Sequence, residues 1–289
     1  MDEADRLPGT GTRIDVRELH PGIAAQFATQ AFRNGLARII SRDYSQFISK
    51  GFEIYLNDVK IKGFSFTVRE SEDFRPIHFD YTDDSGVTVE LIAGMSGAPP
   101  DDLQAVETRA ETNYFGWYVL CNDRVVVAAD KSDHTVWGDS GFPSWHYQYN
   151  GFIGVVSFHA KDPNLLPWRT TKRDVDGSNP AYRRAVDKMK DATRPWIQYT
   201  NDRRGDLEEA KRKEAYATTT ALFKAQNSPN LVVPRVARSE SGVALASIQF
   251  RKPVADIDRA RKLLGNPSMP NARVGEMAFD YFLKNESDE

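Results

Sequence analysis

The chain has 289 residues, of which 40% are hydrophobic and 27% are charged, with a formal net charge of −3 at pH 7. This composition is typical of a soluble globular protein with one large or two medium domains. No run approaches the ~18 consecutive apolar residues of a membrane-spanning helix, and the first residues lack the basic and apolar parts of a signal peptide. We therefore predict a cytoplasmic protein without a membrane partner.

The single cysteine, Cys121, lies in an apolar run. One cysteine excludes an internal disulfide, and the apolar neighbours favour a buried structural thiol over a reactive one.

The charges are unevenly distributed along the chain. Residues 70–111 contain eleven acidic residues and two arginines, a net charge of −9, whereas residues 169–226 contain fourteen basic and nine acidic residues, a net charge of +5. Two interpretations remain open. The charges form solvated faces, or the basic part faces a nucleotide or a nucleic acid.

The first third of the chain predicts one strand, a helical region and a hairpin. A glycine turn leads into a short strand over residues 9–19 with Ile14 and Val16 on one face. Apolar residues at helical spacing over 21–51 predict two helices, broken near Asn34-Gly35 or near Ser41. Residues 53–62 predict a hairpin that turns at Asn57-Asp58.

The middle of the chain predicts two further hairpins and a central strand. Residues 77–81 and 87–92 flank the turn Asp83–Gly86, and residues 114–129 turn at Asn122-Asp123. The apolar run 151–158 is typical of a central strand. We expect an α+β fold, a mixed or antiparallel sheet with flanking helices.

A polar loop, residues 166–176, follows the central strand and contains Lys172, which is placed to reach a phosphate. An ordinary surface loop is the alternative. Helices are predicted after it, near residues 180–192 and 207–226.

The end of the chain has a pattern of its own. Proline and a Ser-Glu-Ser-Gly turn predict a linker over 227–244, and residues 245–289 predict a strand over 246–251, a helix over 254–264 and a second, amphipathic helix. This β-α-α order resembles a ribbon-helix-helix module. That resemblance implies paired strands of two copies that present Ser247, Gln249 and Arg251 to the major groove of DNA. A capping or dimerising element without nucleic acid is the alternative.

The self-contained catalytic signatures are missing from the sequence. It has no Gly-x-Ser-x-Gly elbow, no phosphate loop that ends in Gly-Lys-Ser/Thr and no Gly-x-Gly-x-x-Gly turn. His134, His146 and His159 stand in separate segments without the close spacing of metal ligands. We therefore predict no metal site from the sequence.

Three separated motifs together resemble one family. Gly11-Thr12-Arg13-Ile14 is similar to the strand that ends the ATP-binding domain of GHKL ATPases, and Gly116 to Arg124 is similar to the Asn-x-Arg hairpin of their transducer domain. Thr170-Thr171-Lys172 stands where a transducer loop of that family carries a lysine to the γ-phosphate of ATP. The resemblance covers residues 9 to 200 and is closest to MORC-like and MutL-like members.

The resemblance implies a division of the chain and a set of site residues. Residues 1–19 would be the remnant of an ATP-binding domain, residues 20–226 a helical connector with a transducer-like sandwich of the ribosomal-protein type. Lys172 would sense the γ-phosphate, and Gly11, Thr12 and Thr171 would lie near the nucleotide.

The chain departs from the family pattern, because only eight residues precede Gly9. The helix with the Mg-binding asparagine, the Asp-x-Gly-x-Gly adenine site and the glycine-rich lid are missing. We therefore expect ATP and Mg²⁺ only with an ATP-binding domain supplied upstream or in trans, and no hydrolysis by the chain alone. The expected partners are a second copy of the chain or a protein that supplies that domain. The alternative is a non-enzymatic, dimeric nucleic-acid-binding or scaffold module.

Overall fold

The computed structural model describes residues 10–101, 114–139, 141–235 and 252–286. The chain divides into two compact units, Met1–Ser239 and Glu240–Glu289. The first unit contains the sheet, and the second contains a helical hairpin. None of the described helices is both long enough and apolar enough to cross a membrane.

The described residues form seven α-helices. They are α1 (Pro21–Phe27), α2 (Gln30–Asp43), α3 (Ser45–Ser49), α4 (Pro180–Asp202), α5 (Leu207–Tyr216), α6 (Val254–Leu263) and α7 (Asn271–Glu286).

The described residues also form nine strands. They are β1 (Tyr55–Leu56), β2 (Val59–Lys60), β3 (Thr67–Glu70), β4 (Ile77–Thr82), β5 (Thr88–Met95), β6 (Gly116–Cys121), β7 (Arg124–Asp130), β8 (Phe152–His159) and β9 (Thr218–Ala221). With its helices, this content confirms the expected α+β class.

The main sheet has five strands in the order β4-β5-β8-β6-β7. Its neighbours are antiparallel except for β6 and β8, which run parallel, so the sheet is mixed. Its central strand is β8, as the apolar run predicted. Because side chains alternate along a strand, Phe152 and Val156 face one hydrophobic cluster while Ile153 and Val155 face the other.

Helix α4 covers one face of the sheet. It begins at Pro180 because the side chain of Asn179 accepts the backbone N–H groups of residues 181 and 182, which satisfies two free donors of the first turn. The predicted helix over 180–192 is longer in the structure and continues through Pro195 to residue 202. Trp196 and Tyr199, both buried against the sheet, offset the hydrogen bond that the proline removes.

The other face is covered by a second small sheet that the sequence did not predict. Strands β3 and β9 pair antiparallel, with Val68 opposite Thr220. The prediction of one helix over 207–226 is therefore wrong, since α5 ends at Tyr216. Three consecutive threonines, residues 218–220, favour an extended chain because their β-branched side chains fit a strand better than a helix.

The helical region before the sheet contains three helices rather than two. The breaks lie at Ala28-Thr29 and at Tyr44, and Asn34-Gly35 is inside α2. Thr29 sets the first break, because its hydroxyl accepts the N–H of Phe32 at 3.2 Å as an N-cap.

The strand predicted over residues 9–19 is wrong for the described residues 10–19. These residues have no regular secondary structure, and the side chains of Ile14 and Val16 are 82% and 72% exposed. A strand requires a pairing partner, and no described strand pairs with this segment.

The three predicted hairpins are confirmed. They are β1-β2 around Asn57-Asp58, β4-β5 around residues 83–86 and β6-β7 around Asn122-Asp123.

The segment predicted as a linker, residues 227–244, begins within the first unit. Ser228 and Val232 form isolated bridges to His78 and Arg75 at the edge of the main sheet. The division between the units, after Ser239, falls inside the same segment.

The second unit contains α6 and α7. The helix predicted over 254–264 is confirmed to within one residue, and a second helix follows as predicted. Arg261 joins the two helices, because its guanidinium donates to the carbonyl of Met269 at 2.8 Å and to the side chain of Asn271 at 2.7 Å. The strand predicted over 246–251 lies outside the described residues.

Candidate functional site

Lys172 lies in the turn of a short hairpin that follows β8. Trp168 and Val175 form an antiparallel bridge at the base of this hairpin, and the backbone N–H of Lys172 donates to the carbonyl of Arg169 at 2.8 Å. Lys172 has a φ of +52°, in the left-handed region that non-glycine residues adopt rarely. We call residues 166–176 the lysine loop.

The ammonium group of Lys172 rests on an aromatic ring of its own loop. Its Nζ atom lies 4.5 Å from the ring centroid of Trp168, a cation-π contact. The indole N–H of Trp168 donates to the carbonyl of Pro163 at 3.0 Å, which fixes the ring. Lys172 is exposed, and within the described part of the chain no carboxylate lies within ion-pair distance of it.

The base of the lysine loop is tied to its neighbours through Asp174. Its carboxylate lies 3.3 Å from the guanidinium of Arg169 and 3.7 Å from Nδ1 of His134. The hydroxyl of Tyr182 on α4 donates to the carbonyl of His134 at 2.6 Å. The loop therefore has an anchored base and an exposed turn.

The Asn-x-Arg hairpin lies at the end of the sheet from which the lysine loop emerges. The backbone N–H of Asn122 donates to the carbonyl of Phe158 at 2.8 Å. Its side-chain amide exchanges two hydrogen bonds of 3.0 Å with the backbone of Ala160. Two of the three motifs that carry the family resemblance are thus brought to one end of the sheet.

The remaining predicted site residues are not part of this arrangement. Thr171 is exposed next to Lys172, whereas Gly11 and Thr12 are exposed in the segment before α1. No hydrogen bond or ion pair between described residues joins Gly11 or Thr12 to the lysine loop. The predicted DNA-contacting residues Ser247, Gln249 and Arg251 lie outside the described residues.

The acidic and basic segments pair with each other. Asp101 contacts Arg203 at 2.8 Å and Lys211 at 2.9 Å, and Asp73 lies 3.7 Å from Lys213. Each contact joins the net-negative segment 70–111 to the net-positive segment 169–226. The uneven charge is therefore, in part, a means of holding α5 and the end of α4 to the segments that follow β3 and β5, rather than a free basic surface.

A buried polar network that the sequence analysis missed lies between α4 and α5. Arg203 and Glu214 are almost fully buried and form two hydrogen bonds, 2.6 and 2.9 Å long, and the hydroxyl of Tyr199 donates to the same carboxylate. Burial, with the carboxylate next to it, raises the pKa of Tyr199 far above its usual range. Because every charge here has a partner, the network is structural. The spacing of these residues in the sequence does not predict that they pair.

The histidines of the described residues form no metal-binding cluster, and the cysteine is buried. The described residues contain no group of three or more His, Cys, Asp or Glu side chains placed to hold a metal ion. Cys121 is buried, and burial raises the pKa of its thiol to about 12. A thiol with this pKa is protonated at neutral pH and unreactive.

A cavity of about 590 Å³ lies between β4 and α4, away from the lysine loop. Ile77, Phe79 and Leu231 contribute apolar walls, and Lys188 and Arg194 contribute cations. The side chains at this cavity belong to neither the Asn-x-Arg hairpin nor the lysine loop.

A scan of the chain against protein-family models and a search among curated proteins both gave no match.

Proposed function

We propose that this chain is the transducer part of a GHKL-type ATPase of the MORC-like or MutL-like kind, in which Lys172 senses the γ-phosphate of ATP. One observation carries the proposal. An exposed lysine without a carboxylate partner among the described residues stands in the turn of an anchored loop, which follows the strand whose end is hydrogen-bonded to the Asn-x-Arg hairpin. This arrangement is what the resemblance implies for the sensor lysine.

The energetics of Lys172 favour a phosphate over its present contact. An exposed cation-π contact contributes about 0.5–1 kcal/mol, whereas a hydrogen bond between charged groups contributes about 1.5–3 kcal/mol. The ammonium group therefore leaves the Trp168 ring when a phosphate comes within reach. A cation on one domain and a nucleotide on another stabilise the closed state only when both domains are present, so ATP binding drives closure.

The proposal divides the work between two domains. A GHKL-type ATP-binding domain, encoded upstream or carried by a partner, binds ATP and Mg²⁺ and supplies the hydrolysable phosphate. The residues of this chain bind the γ-phosphate and transmit the closure. The chain alone is accordingly expected to show no ATP hydrolysis.

The alternative, a non-enzymatic nucleic-acid-binding module, has less support. Its electrostatic argument rests on the basic segment 169–226. Several of those cations are already paired, such as Lys190 with Asp139 at 2.6 Å and Arg203 with Glu214 and Asp101. Cations with carboxylate partners release fewer counterions from a phosphate backbone and contribute less to binding.

The test is ATP hydrolysis by the chain joined to its ATP-binding domain. We expect Lys172→Ala to lower the rate roughly 100-fold, as loss of one charged transition-state contact does. Lys172→Arg should retain part of the rate, because it keeps the charge. The matched control is Arg173→Ala, which removes a neighbouring exposed cation of the same loop and should change the rate less than about two-fold.

Equal rates in Lys172→Ala and the unchanged enzyme would reject the proposal. Equal losses in Lys172→Ala and Arg173→Ala would reject the specific role of Lys172, since they would indicate that only the total charge of the loop matters.

A further inference from the structure

The turn between β6 and β7 is connected to the segment that leads from β8 to the lysine loop. Asn122 has a φ of +44° and occupies the first position of the turn. Its amide oxygen accepts the N–H of Ala160, and its amide nitrogen donates to the carbonyl of the same residue, both at 3.0 Å. These bonds extend the parallel pairing of β6 and β8 past the last residue of β8. They hold the chain at residue 160, in the segment before the lysine loop.

The next two residues of the same turn are connected to the helices that precede the sheet. Asp123 forms an ion pair with Lys50, at the end of α3, at 2.6 Å. The guanidinium of Arg124 donates to the hydroxyl of Tyr44 at 3.2 Å and lies over the ring of that tyrosine. Three consecutive residues thus contact two separate parts of the fold.

A continuous set of contacts leads from this turn to the ammonium of Lys172. After Ala160 the chain passes through a short 3-10 helix at residues 163–165. Its first carbonyl, that of Pro163, accepts a hydrogen bond from the indole N–H of Trp168. The ammonium group of Lys172 rests on that indole ring. The position of the lysine therefore depends on where residue 160 is held.

We propose that Asn122 is a positioning residue for Lys172, and that the turn 122–124 couples the helices α2 and α3 to the lysine loop. The proposal rests on the function proposed above, because it names how that site is held and regulated. Asn122 contacts neither substrate nor Lys172 and acts through Ala160. The helices move the loop through Asp123 and Arg124.

The junction between the helices and the turn has a feature that favours movement. Nε of Arg124 is buried without a hydrogen-bond partner in the described part of the chain, and so is the hydroxyl of Ser45, the first residue of α3. An unpaired buried donor costs free energy, so a movement that gave Nε an acceptor would be favourable. In the proposal, this junction is the element whose two arrangements couple the helices to the loop.

The test uses the full chain without nucleotide and compares two matched variants. Asn122→Gly removes the side-chain amide but keeps the positive φ that glycine adopts freely. Asn57→Gly makes the same change at the same position of the β1-β2 turn, where φ is +48°. We expect backbone hydrogen exchange over residues 160–172 to become roughly ten-fold faster in Asn122→Gly and to stay unchanged in Asn57→Gly.

A third variant keeps the experiment informative if the glycine variant unfolds. Asn122→Asp keeps the acceptor for the N–H of Ala160 but loses the donor, so it should raise the exchange rate by an intermediate factor. Unchanged exchange over 160–172 in both Asn122 variants would overturn the proposal. Faster exchange confined to residues 120–126 would overturn it as well, since the amide would then support only its own turn.

Hydrolysis by the joined enzyme separates this inference from the function on which it rests. In Asn122→Gly we expect kcat to fall roughly ten-fold with KM for ATP nearly unchanged, because the ATP-binding domain still holds the nucleotide. If the loop loosens in Asn122→Gly but Lys172→Ala hydrolyses ATP normally, the proposed function fails and the positioning stands. If Lys172→Ala is inactive and hydrogen exchange over residues 160–172 is unchanged in Asn122→Gly, the proposed function stands and the positioning role of Asn122 fails.

Discussion

Two hairpins in this protein turn on the same dipeptide, Asn-Asp, and serve different purposes. Asn57 and Asp58 have φ values of +48° and +63°, and Asn122 and Asp123 have values of +44° and +69°. Both are two-residue turns with positive φ at both positions, which asparagine and aspartate tolerate better than most residues. The φ values of the two turns therefore agree to within a few degrees.

The surroundings differ. The β1-β2 hairpin has strands of two residues, and among the described residues its side-chain ion pair joins its own Lys60 and Glu53. The β6-β7 hairpin belongs to the five-stranded sheet, and its turn contacts Tyr44, Lys50 and Ala160. The same local chemistry makes a simple reversal of the chain in one place and a junction of three segments in the other.

The largest expected difference between the two turns is in stability. Asn122→Ala loses two hydrogen bonds and puts alanine at positive φ, so we expect it to lower the free energy of unfolding by about 3 kcal/mol. Asn57→Ala has only the backbone cost, about 1 kcal/mol. Urea denaturation of the full chain measures both values.

Equal losses in the two alanine variants would contradict this view of the β6-β7 turn as a junction. The corresponding glycine variants serve as the control, because they remove the backbone term and leave only the hydrogen bonds of Asn122.

The turns were predictable from the sequence because their signal is local. Asn-Asp between alternating apolar residues needs no knowledge of distant residues, and the prediction was confirmed at both places. The pairing of β3 with β9 was not predictable, because Val68 and Thr220 are far apart in the chain. The strand predicted at Ile14 and Val16 failed for the same reason, since a strand pattern does not say whether a partner exists.

The candidate site was predictable only in part. The sequence singled out Lys172 and the Asn-x-Arg hairpin, and the structure adds that both lie at one end of the sheet. The sequence did not reveal that the ammonium group of Lys172 rests on the ring of Trp168. It also did not reveal that the side chain of Asn122 is hydrogen-bonded to Ala160. Such contacts depend on side-chain directions in folded loops, which neither periodicity nor spacing encodes.

The next expected difference concerns a tyrosine hydroxyl at each hairpin. Tyr44 accepts a hydrogen bond from Arg124, whose half-buried guanidinium lies over the tyrosine ring, so Tyr44→Phe should lower the free energy of unfolding by about 1 kcal/mol. Tyr55 donates to an exposed carboxylate, and Tyr55→Phe should cause no measurable loss. Urea denaturation of the two variants under the same conditions measures the contrast. A loss in Tyr55→Phe as large as that in Tyr44→Phe would contradict it.

The smallest expected difference concerns a lysine ion pair at each hairpin. A hydrogen bond from Lys60, with a second from Tyr55, lowers the pKa of Glu53. Because this pKa is lower in the folded state, the contribution to stability is present above the ordinary glutamate pKa and is lost as the pH falls through the lowered value. NMR titration of Glu53 should show its pKa rising in Lys60→Met and unchanged in Lys50→Met.

Lys50 pairs with Asp123 instead, at the junction. Lys50→Met should therefore speed hydrogen exchange in α3 while leaving the pH dependence that comes from Glu53 intact. Both pairs are exposed, so both effects should fade in high salt. If Lys50→Met changed the titration of Glu53, the two hairpins would not be independent, and the contrast between a simple reversal and a junction would no longer hold.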